Sequence, residues 1–358
     1  MQFGDKIKEL RLKKGFSIQG LADLVGVSKP AIQQYEDGTI TPSNKVLKKI
    51  SEALGVRVWH FFSAPPQPIK LIEFRDGHTL QDEEKEKSTI RDLIVTVAQK
   101  YLDLVTIMNE RIIFENPVAD TEININSDVE KAAKRLRKKW RIADSPIDDV
   151  TEFLESKGFI ILTIERPTGS SGVCGYIEDT SGNIPVIIVN TFDDSEITRK
   201  RFTILHELAH LLLRFNPTLT KRAQENMCHY FAGALLLPEE VLISAIGKDR
   251  TSISLMELIS LKEAYGISIP AIIIRANNVG IINNITKDSW LQTYNIWRDG
   301  QMGLGRYTKS LEKPARIENL ITKAIAEKRI TWEKAAELTN TPIDKLEQMY
   351  RNGMLEIK

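Results

Sequence analysis

The sequence predicts a mainly helical protein with a small β-sheet, an α+β chain. Three observations lead there. Apolar residues recur at helical spacing over most of the 358 residues, as in Ile90, Leu93, Ile94, Val97, Tyr101, Leu104 and Val105. Two β-branched runs, FIILTI (159–164) and PVIIVN (185–190), read as strands; they flank a Gly-rich loop, TGSSGVCGY, and a turn, TSGN. The segment Ala64-Pro65-Pro66-Gln67-Pro68 breaks any helix, because proline lacks an N–H and restricts its predecessor.

These features divide the chain into an N-terminal helical unit at 1–62, a stiff linker and helical connector at 63–127, a mixed domain at 128–280 and a helical C-terminal region at 281–358. Within the connector, DEEKEK (82–87) is a solvated charge run or a helix start. A basic helix is expected at 128–141, strong helicity over about 196–275, and a helical tail over about 310–352. One element has a faint echo. SIQGLADLVGVSKPAIQQYE (17–36) resembles TWEKAAELTNTPIDKLEQMY (331–350), and LKEAYGISIPAIIIR (261–275) shares its rhythm. Any pair of packed amphipathic helices gives a similar pattern.

Composition narrows the function classes. With 42% hydrophobic and 27% charged residues, the chain is not wholly disordered, collagenous or a disulfide-stapled miniprotein. Lys and Arg number 49 against 48 Asp and Glu, a net charge of +1, so local charge has to decide about nucleic acid. Cys174 and Cys228 are too few for a disulfide framework and fit a reducing compartment. The N-terminus lacks the apolar core of a secretory signal, and no run approaches about 18 apolar residues. A cytoplasmic protein without a membrane partner is the expectation.

In the N-terminal unit, a first helix should run from about Phe3 to Lys14 and stop at Gly15. Ser17 can cap a second helix with Leu21, Ala22 and Leu24 inward, and Gly26 permits a tight turn. Ser28 caps a third, with Pro30 in its first turn, where a missing N–H costs nothing, and with Ile32 and Tyr35 facing the core. Asp37-Gly38 ends it, and a fourth covers about 43–54. This helix-turn-helix resembles the XRE (Cro/cI-like) DNA-binding family over nearly all of residues 5–58. The resemblance implies that the third helix enters the major groove of an operator. Lys29, Pro30 and Gln34 would then read bases, with Ser28 and Gln33 near the backbone or rim. Arg11 and Glu36 match a buried ion pair between the first and third helices. Ile18 stands where many members carry a phosphate-binding Gln, which shifts that contact to Gln19 or weakens it. Residues 1–62 hold ten Lys/Arg against six Asp/Glu, a balance suited to phosphate. A module that kept the fold and binds protein is the competing reading.

The chemistry lies in Phe202-Thr203-Ile204-Leu205-His206-Glu207-Leu208-Ala209-His210. In this H-E-x-x-H pattern, His206 and His210 fall on one face of a helix, one turn apart, with Glu207 beside them. Two imidazoles and a carboxylate favour zinc. An accidental match would bury these groups without compensation, in a chain with five histidines in all. The next helix offers Glu225 and His229, one turn apart, as further ligands. Cys228 is a candidate soft ligand, but it lies on a neighbouring face and reads better as a small buried residue; Tyr176 and Tyr230 could stabilise a developing oxyanion, with packing the expected role of each. The loop around Cys174 reads as a cleft wall or hairpin turn. His60 and His78 read as isolated residues.

The block PVIIVN, RKRFTILHELAHLLL and E…..FAGALLLP resembles the ImmA/IrrE metallopeptidase family, from about 129 to 280. The resemblance implies a zincin-like domain binding one Zn²⁺ through His206, His210 and Glu225, with Glu207 as the base. His229, where the family more often has Asn or Asp, either orients a ligand from behind or competes with Glu225. The implied function is a transcriptional regulator carrying a zinc-dependent endopeptidase, which cuts a partner protein such as a repressor, or its own linker near 63–90. The alternative is a non-proteolytic DNA-binding repressor or antitoxin, the peptidase-like fold serving as a sensor. A homodimer on paired operator half-sites is compatible with either. The segment 331–350 is a candidate for binding a partner or closing the cleft.

Overall fold

Helix α1 (Phe3–Lys13) ends as the chain turns through Gly15 at φ +73°. Helix α2 (Ile18–Val25) starts where Ser17 Oγ accepts the Gly20 N–H at 2.9 Å, and closes on left-handed Gly26. Ser28 Oγ accepts from Ala31 N at 3.3 Å to open α3 (Lys29–Glu36), with Pro30 in its first turn. Ser43 caps α4 (Asn44–Leu54), and a 3₁₀ turn follows at Val58–Phe61. Ile7, Leu21, Ala22, Val25, Ile32, Leu47, Ile50, Leu54 and Phe61 form the core, with Tyr35 packed against it.

Leu24 corrects the expected inward set: it is 59% exposed, and Val25 takes the core position instead. The predicted ion pair forms. Arg11 donates from Nε and an Nη to the two oxygens of Glu36, at 2.6 and 2.9 Å, and both residues are buried. Gly4 lets α1 touch the end of α3 backbone to backbone, since a Cβ there would lie 2.3 Å from the Glu36 carbonyl oxygen.

The computed structural model describes residues 3–56, 58–61, 69–74, 96–110, 112–165, 171–177, 182–192, 196–300 and 302–351. The whole proline-rich segment 64–68, the DEEKEK run and His78 lie outside them, as does the His60 side chain. The chain divides into two compact units, Met1–Pro66 and Gln67–Lys358.

The second unit has a four-stranded sheet in the order β1-β4-β5-β3. Its strands are β1 (Ile69–Phe74), β3 (Ile160–Ile164), β4 (Gly172–Ile177) and β5 (Ile184–Asn190). Strand β3 runs parallel to β5, Ile160 opposite Val186; β4 is antiparallel to β5, Gly172 opposite Val189; β1 is antiparallel to β4, Phe74 opposite Val173. A second, two-stranded sheet pairs β2 (Glu122–Ile123) with β6 (Arg214–Phe215). The stretch expected as a Gly-rich loop therefore supplies a strand, because its Val173, Tyr176 and Ile177 find partners on both sides.

Side-chain alternation sends the sheet's two faces into two cores. Ile161, Cys174, Ile187 and Val189 join one. It includes α6 (Asn126–Lys139), α7 (Val150–Glu155), α8 (Ile197–Leu212), α9 (Lys221–Leu236), α10 (Glu239–Ile246), α11 (Leu255–Tyr265), α12 (Ile269–Asn278) and α13 (Asn284–Asp299). Ile160, Leu162, Val173, Ile177, Val186 and Ile188 face the other. There they meet α5, helical over 96–108, and α14 (Arg316–Ala326), α15 (Trp332–Thr339) and α16 (Ile343–Arg351). Where a connector and a helical tail are expected, β1, α5 and α14–α16 complete and cover this sheet.

The echoed element recurs as structure. Helix α15 is capped by Thr331 and closed by left-handed Asn340, as α2 is by Ser17 and Gly26. Helix α12 repeats the α3 start, with Ser268 as cap and Pro270 in the first turn, but it buries Ile269, Ile272, Ile273, Arg275 and Ala276. Its open side is narrow, with Ile274 and Asn278 exposed.

Candidate functional site

Helix α8 carries His206, Glu207 and His210. Its apolar neighbours Ile204, Leu205, Leu208 and Ala209 are buried, which fixes the rotation of the helix and hence the face the histidines share. Its last carbonyls are satisfied rather than left bare. Tyr176 Oη donates to Leu211 O at 2.7 Å, and Asn116 Nδ2 to Leu212 O at 2.8 Å. Burial pushes the Tyr176 phenol up to about 12, which keeps it a donor. Farther up α8, Arg201 pairs with Glu312 in full burial, and its guanidinium also donates to the carbonyls of Ile147, Asp148 and Gly266.

Helix α9 runs alongside, capped by Thr220 Oγ1, which accepts from Ala223 N at 3.2 Å. Two buried arginines receive its C-terminal end. Arg137 donates to Leu235 O, and Arg275 Nε donates to Leu237 O at 3.1 Å. Arg275 also grips both oxygens of Glu130 at 2.6 Å, which ties α12 to α6. Tyr230 packs beneath this guanidinium, 5.3 Å from ring centre to Cζ, in the structural role expected of it.

The pairing of α8 with α9 brings the predicted donors together. His206 Nε2 lies 3.1 Å from His210 Nε2, Glu225 Oε2 lies 3.2 Å from His206 Nε2, and Glu225 Oε1 lies 3.3 Å from His210 Nε2. The two imidazoles, His206 first, hold the Glu225 carboxyl well below the usual carboxylate range. This set suits an ion. A tetrahedral zinc with ligand bonds of about 2.0–2.2 Å requires donor atoms roughly 3.3 Å apart. Among the described residues, His206, His210 and Glu225 converge in this way.

His229 stands beside this set. Its ring centre is 4.4 Å from that of His206 and 6.0 Å from that of Phe202, with which it stacks. Glu207 is 3% exposed. It rests against the bare backbone of β4, where a Cβ on Gly172 would lie 2.7 Å from Glu207 Oε1. Sequence reasoning missed that contact, although the Gly-rich stretch was its signal. Cys228 is buried, as expected, but its sulfur also approaches His210 Nδ1 at 3.5 Å, a pairing across two helices that spacing along one cannot reveal.

In the first unit, Ser28, Lys29, Pro30, Gln33, Gln34 and Gln19 are all exposed. Ser28 Oγ is engaged as a helix cap, and Gln19 Nε2 donates to Asp23 Oδ1 at 2.7 Å. Lys29 and Gln34 thus keep their side chains on the open face of α3. Among the described residues no single helix is long and apolar enough to cross a membrane.

Comparison with known proteins matches residues 7–58 to the helix-turn-helix family and residues 157–277 to the IrrE N-terminal-like domain. A Bacillus subtilis protein, the SPbeta prophage-derived uncharacterized HTH-type transcriptional regulator YonR, is 41% identical over 54 residues, covering 15% of this chain and 50% of its own. A Pyrococcus furiosus protein, provisionally named an HTH-type transcriptional regulatory protein, is 23% identical over 186 residues, covering 51% of this chain and 52% of its own. The chain spans about half the length of these two relatives. An uncharacterized HTH-type transcriptional regulator of Rickettsia prowazekii is 32% identical over 108 residues, covering 27% of this chain and 83% of its own. The chain belongs to the XRE-type helix-turn-helix regulators and carries, behind that domain, an IrrE N-terminal-like domain.

Proposed function

We propose that this protein is a DNA-binding transcriptional regulator whose second unit is a zinc-dependent endopeptidase that cuts a specific partner protein, such as a repressor, or its own chain. The observation that carries the reading is the convergence of His206 Nε2, His210 Nε2 and the Glu225 carboxylate at tetrahedral spacing, with Glu207 next to them on α8. When bound, zinc supplies Lewis acidity toward a carbonyl and lowers the pKa of water. His206, His210 and Glu225 would hold the ion. Glu207 takes a proton from the attacking water and returns it to the leaving amine. Its burial against Gly172 keeps bulk solvent off the carboxylate and fixes its direction. His229 steadies the His206 ring from behind.

Replacing Glu207 by Gln tests this. The variant retains zinc and loses cleavage, scored by mass spectrometry after incubation with a co-encoded neighbour protein. A variant that cuts at the wild-type rate refutes the mechanism. The self-cleavage alternative concerns 63–90, of which only 69–74 lies among the described residues.

The first unit is proposed to bind duplex DNA through α3, with Lys29, Pro30 and Gln34 at base edges, Ser28 and Gln33 at the rim and Gln19 at phosphate, as a dimer on paired half-sites. The exposure of all six residues supports this. Gln34→Ala should cost about 1–3 kcal/mol at one operator position. Lys29→Ala, which removes a donor to guanine acceptors, should cost a similar about 1–3 kcal/mol and relax specificity at its own operator position. Equal affinity of both variants for the operator removes α3 as the reader. The relatives are named as regulators, which favours a second reading: a repressor whose IrrE-like unit senses a ligand without cutting. Intact neighbour protein after incubation with the zinc-loaded wild type would select it.

A further inference from the structure

Helix α9 sends Glu225 and Cys228, three residues apart, to opposite sides of the same His210 ring. Glu225 Oε1 faces Nε2 at 3.3 Å; Cys228 Sγ faces Nδ1 at 3.5 Å. A neutral imidazole has one lone pair to offer, and the nitrogen that carries the proton decides which atom offers it. A proton on Nδ1 directed at sulfur leaves the Nε2 lone pair for an ion. Cys228 is fully buried, and its place in the α8–α9 core gives it little freedom to move away. His210 also meets the His206 ring edge-on, at 4.9 Å and 73°, so a rotated His210 would lose two contacts at once.

Cys228 is not a fourth ligand by position. Its sulfur lies at the Nδ1 side of His210, and the donor set that converges contains His206, His210 and Glu225. We infer that Cys228 is a positioning residue for the metal centre: its sulfur accepts the Nδ1–H of His210 and so fixes the tautomer and ring orientation that turn Nε2 toward the ion. The inference rests on the zinc reading proposed above. Partners of this kind commonly change metal affinity by 10–100-fold when removed.

The test uses the full chain and two readouts that do not depend on cleavage. Zinc affinity is measured by competition with a chromophoric chelator, and ligand geometry by the visible spectrum of the cobalt(II)-loaded protein. Cys228→Ala and Cys228→Val should each bind zinc about 10–100-fold more weakly and shift the cobalt bands. Valine refills the volume of the thiol but accepts no hydrogen bond, so it separates the acceptor from packing. Cys228→Ser, whose hydroxyl can accept the same N–H, should recover most of the affinity. Wild-type affinity and spectrum in Cys228→Val overturn the inference and leave the zinc reading standing, as does a Cys228→Ser protein no better than Cys228→Val. Wild-type protein that binds no zinc overturns both.

Discussion

Replacing Gly172 by Ala should disable the base without touching a metal ligand. The added Cβ would lie 2.7 Å from Glu207 Oε1, 2.8 Å from Glu207 Cγ and 2.8 Å from Thr203 Cγ2. Ordinary contacts begin near 3.5 Å, so one partner must give by roughly 0.7 Å. Strand β4 is hydrogen-bonded between β1 and β5, so the Glu207 and Thr203 side chains on α8 must both yield, and the carboxylate is displaced. Overpacking of this size costs about 1–3 kcal/mol of stability. Misplacement of a reacting group by about 1 Å costs about 100-fold in rate, close to 2.7 kcal/mol in the barrier. The expected result is a folded protein with wild-type zinc content and a rate near 1% of wild type, read by fragment accumulation in mass spectrometry. A folded Gly172→Ala protein that cuts at the wild-type rate would refute the claim that this contact aims Glu207.

Two further outcomes follow from buried carboxylates away from the metal donors. Burial pushes the Glu155 carboxyl up to about 7, against two backbone N–H groups of Ala315 and Arg316 that favour its charged form. With the folded pKa above the unfolded value, its contribution to stability is full below the ordinary carboxylate pKa and is lost as pH rises through about 7. That loss is on the order of 3 kcal/mol. Glu155→Gln keeps an acceptor oxygen, so its thermal midpoint should fall less than that of wild type between about pH 5 and pH 8; parallel curves would sink the assignment. Glu312 receives Val150 N at 3.0 Å and Thr151 N at 2.8 Å while it pairs with Arg201. Glu312→Gln strands a buried guanidinium and should cost about 3–5 kcal/mol in urea unfolding, whereas an unchanged midpoint would show that the pair is dispensable.

How much was legible in the sequence depended on how local the cause was. The first four helices follow from caps and turns within a few residues of each other: Gly15, Ser17, Gly26, Ser28 and Pro30 each act on their own neighbours. The position of Leu24 was misread because α2 is apolar on more than one side, so its pattern alone does not choose the buried face. The shared face of His206 and His210 is a property of one helix and was visible at once. Glu225 needed the family resemblance, because the approach of α9 to α8 is tertiary. Strand β4 was hidden by its glycines, which read as loop, although one of them is what lets Glu207 lie against the sheet. Nothing near Glu312 announces Arg201, since the two are brought together by the fold of the whole unit.

The proposed chemistry requires a divalent ion held between α8 and α9, and elemental analysis of the purified full chain tests for it most directly. About one zinc per chain is expected in wild type and in Glu207→Gln, with loss of the metal in His206→Ala and in Glu225→Ala. A wild-type protein that takes up no metal from zinc-containing buffer would contradict it, as would a folded His206→Ala protein that retains a full equivalent.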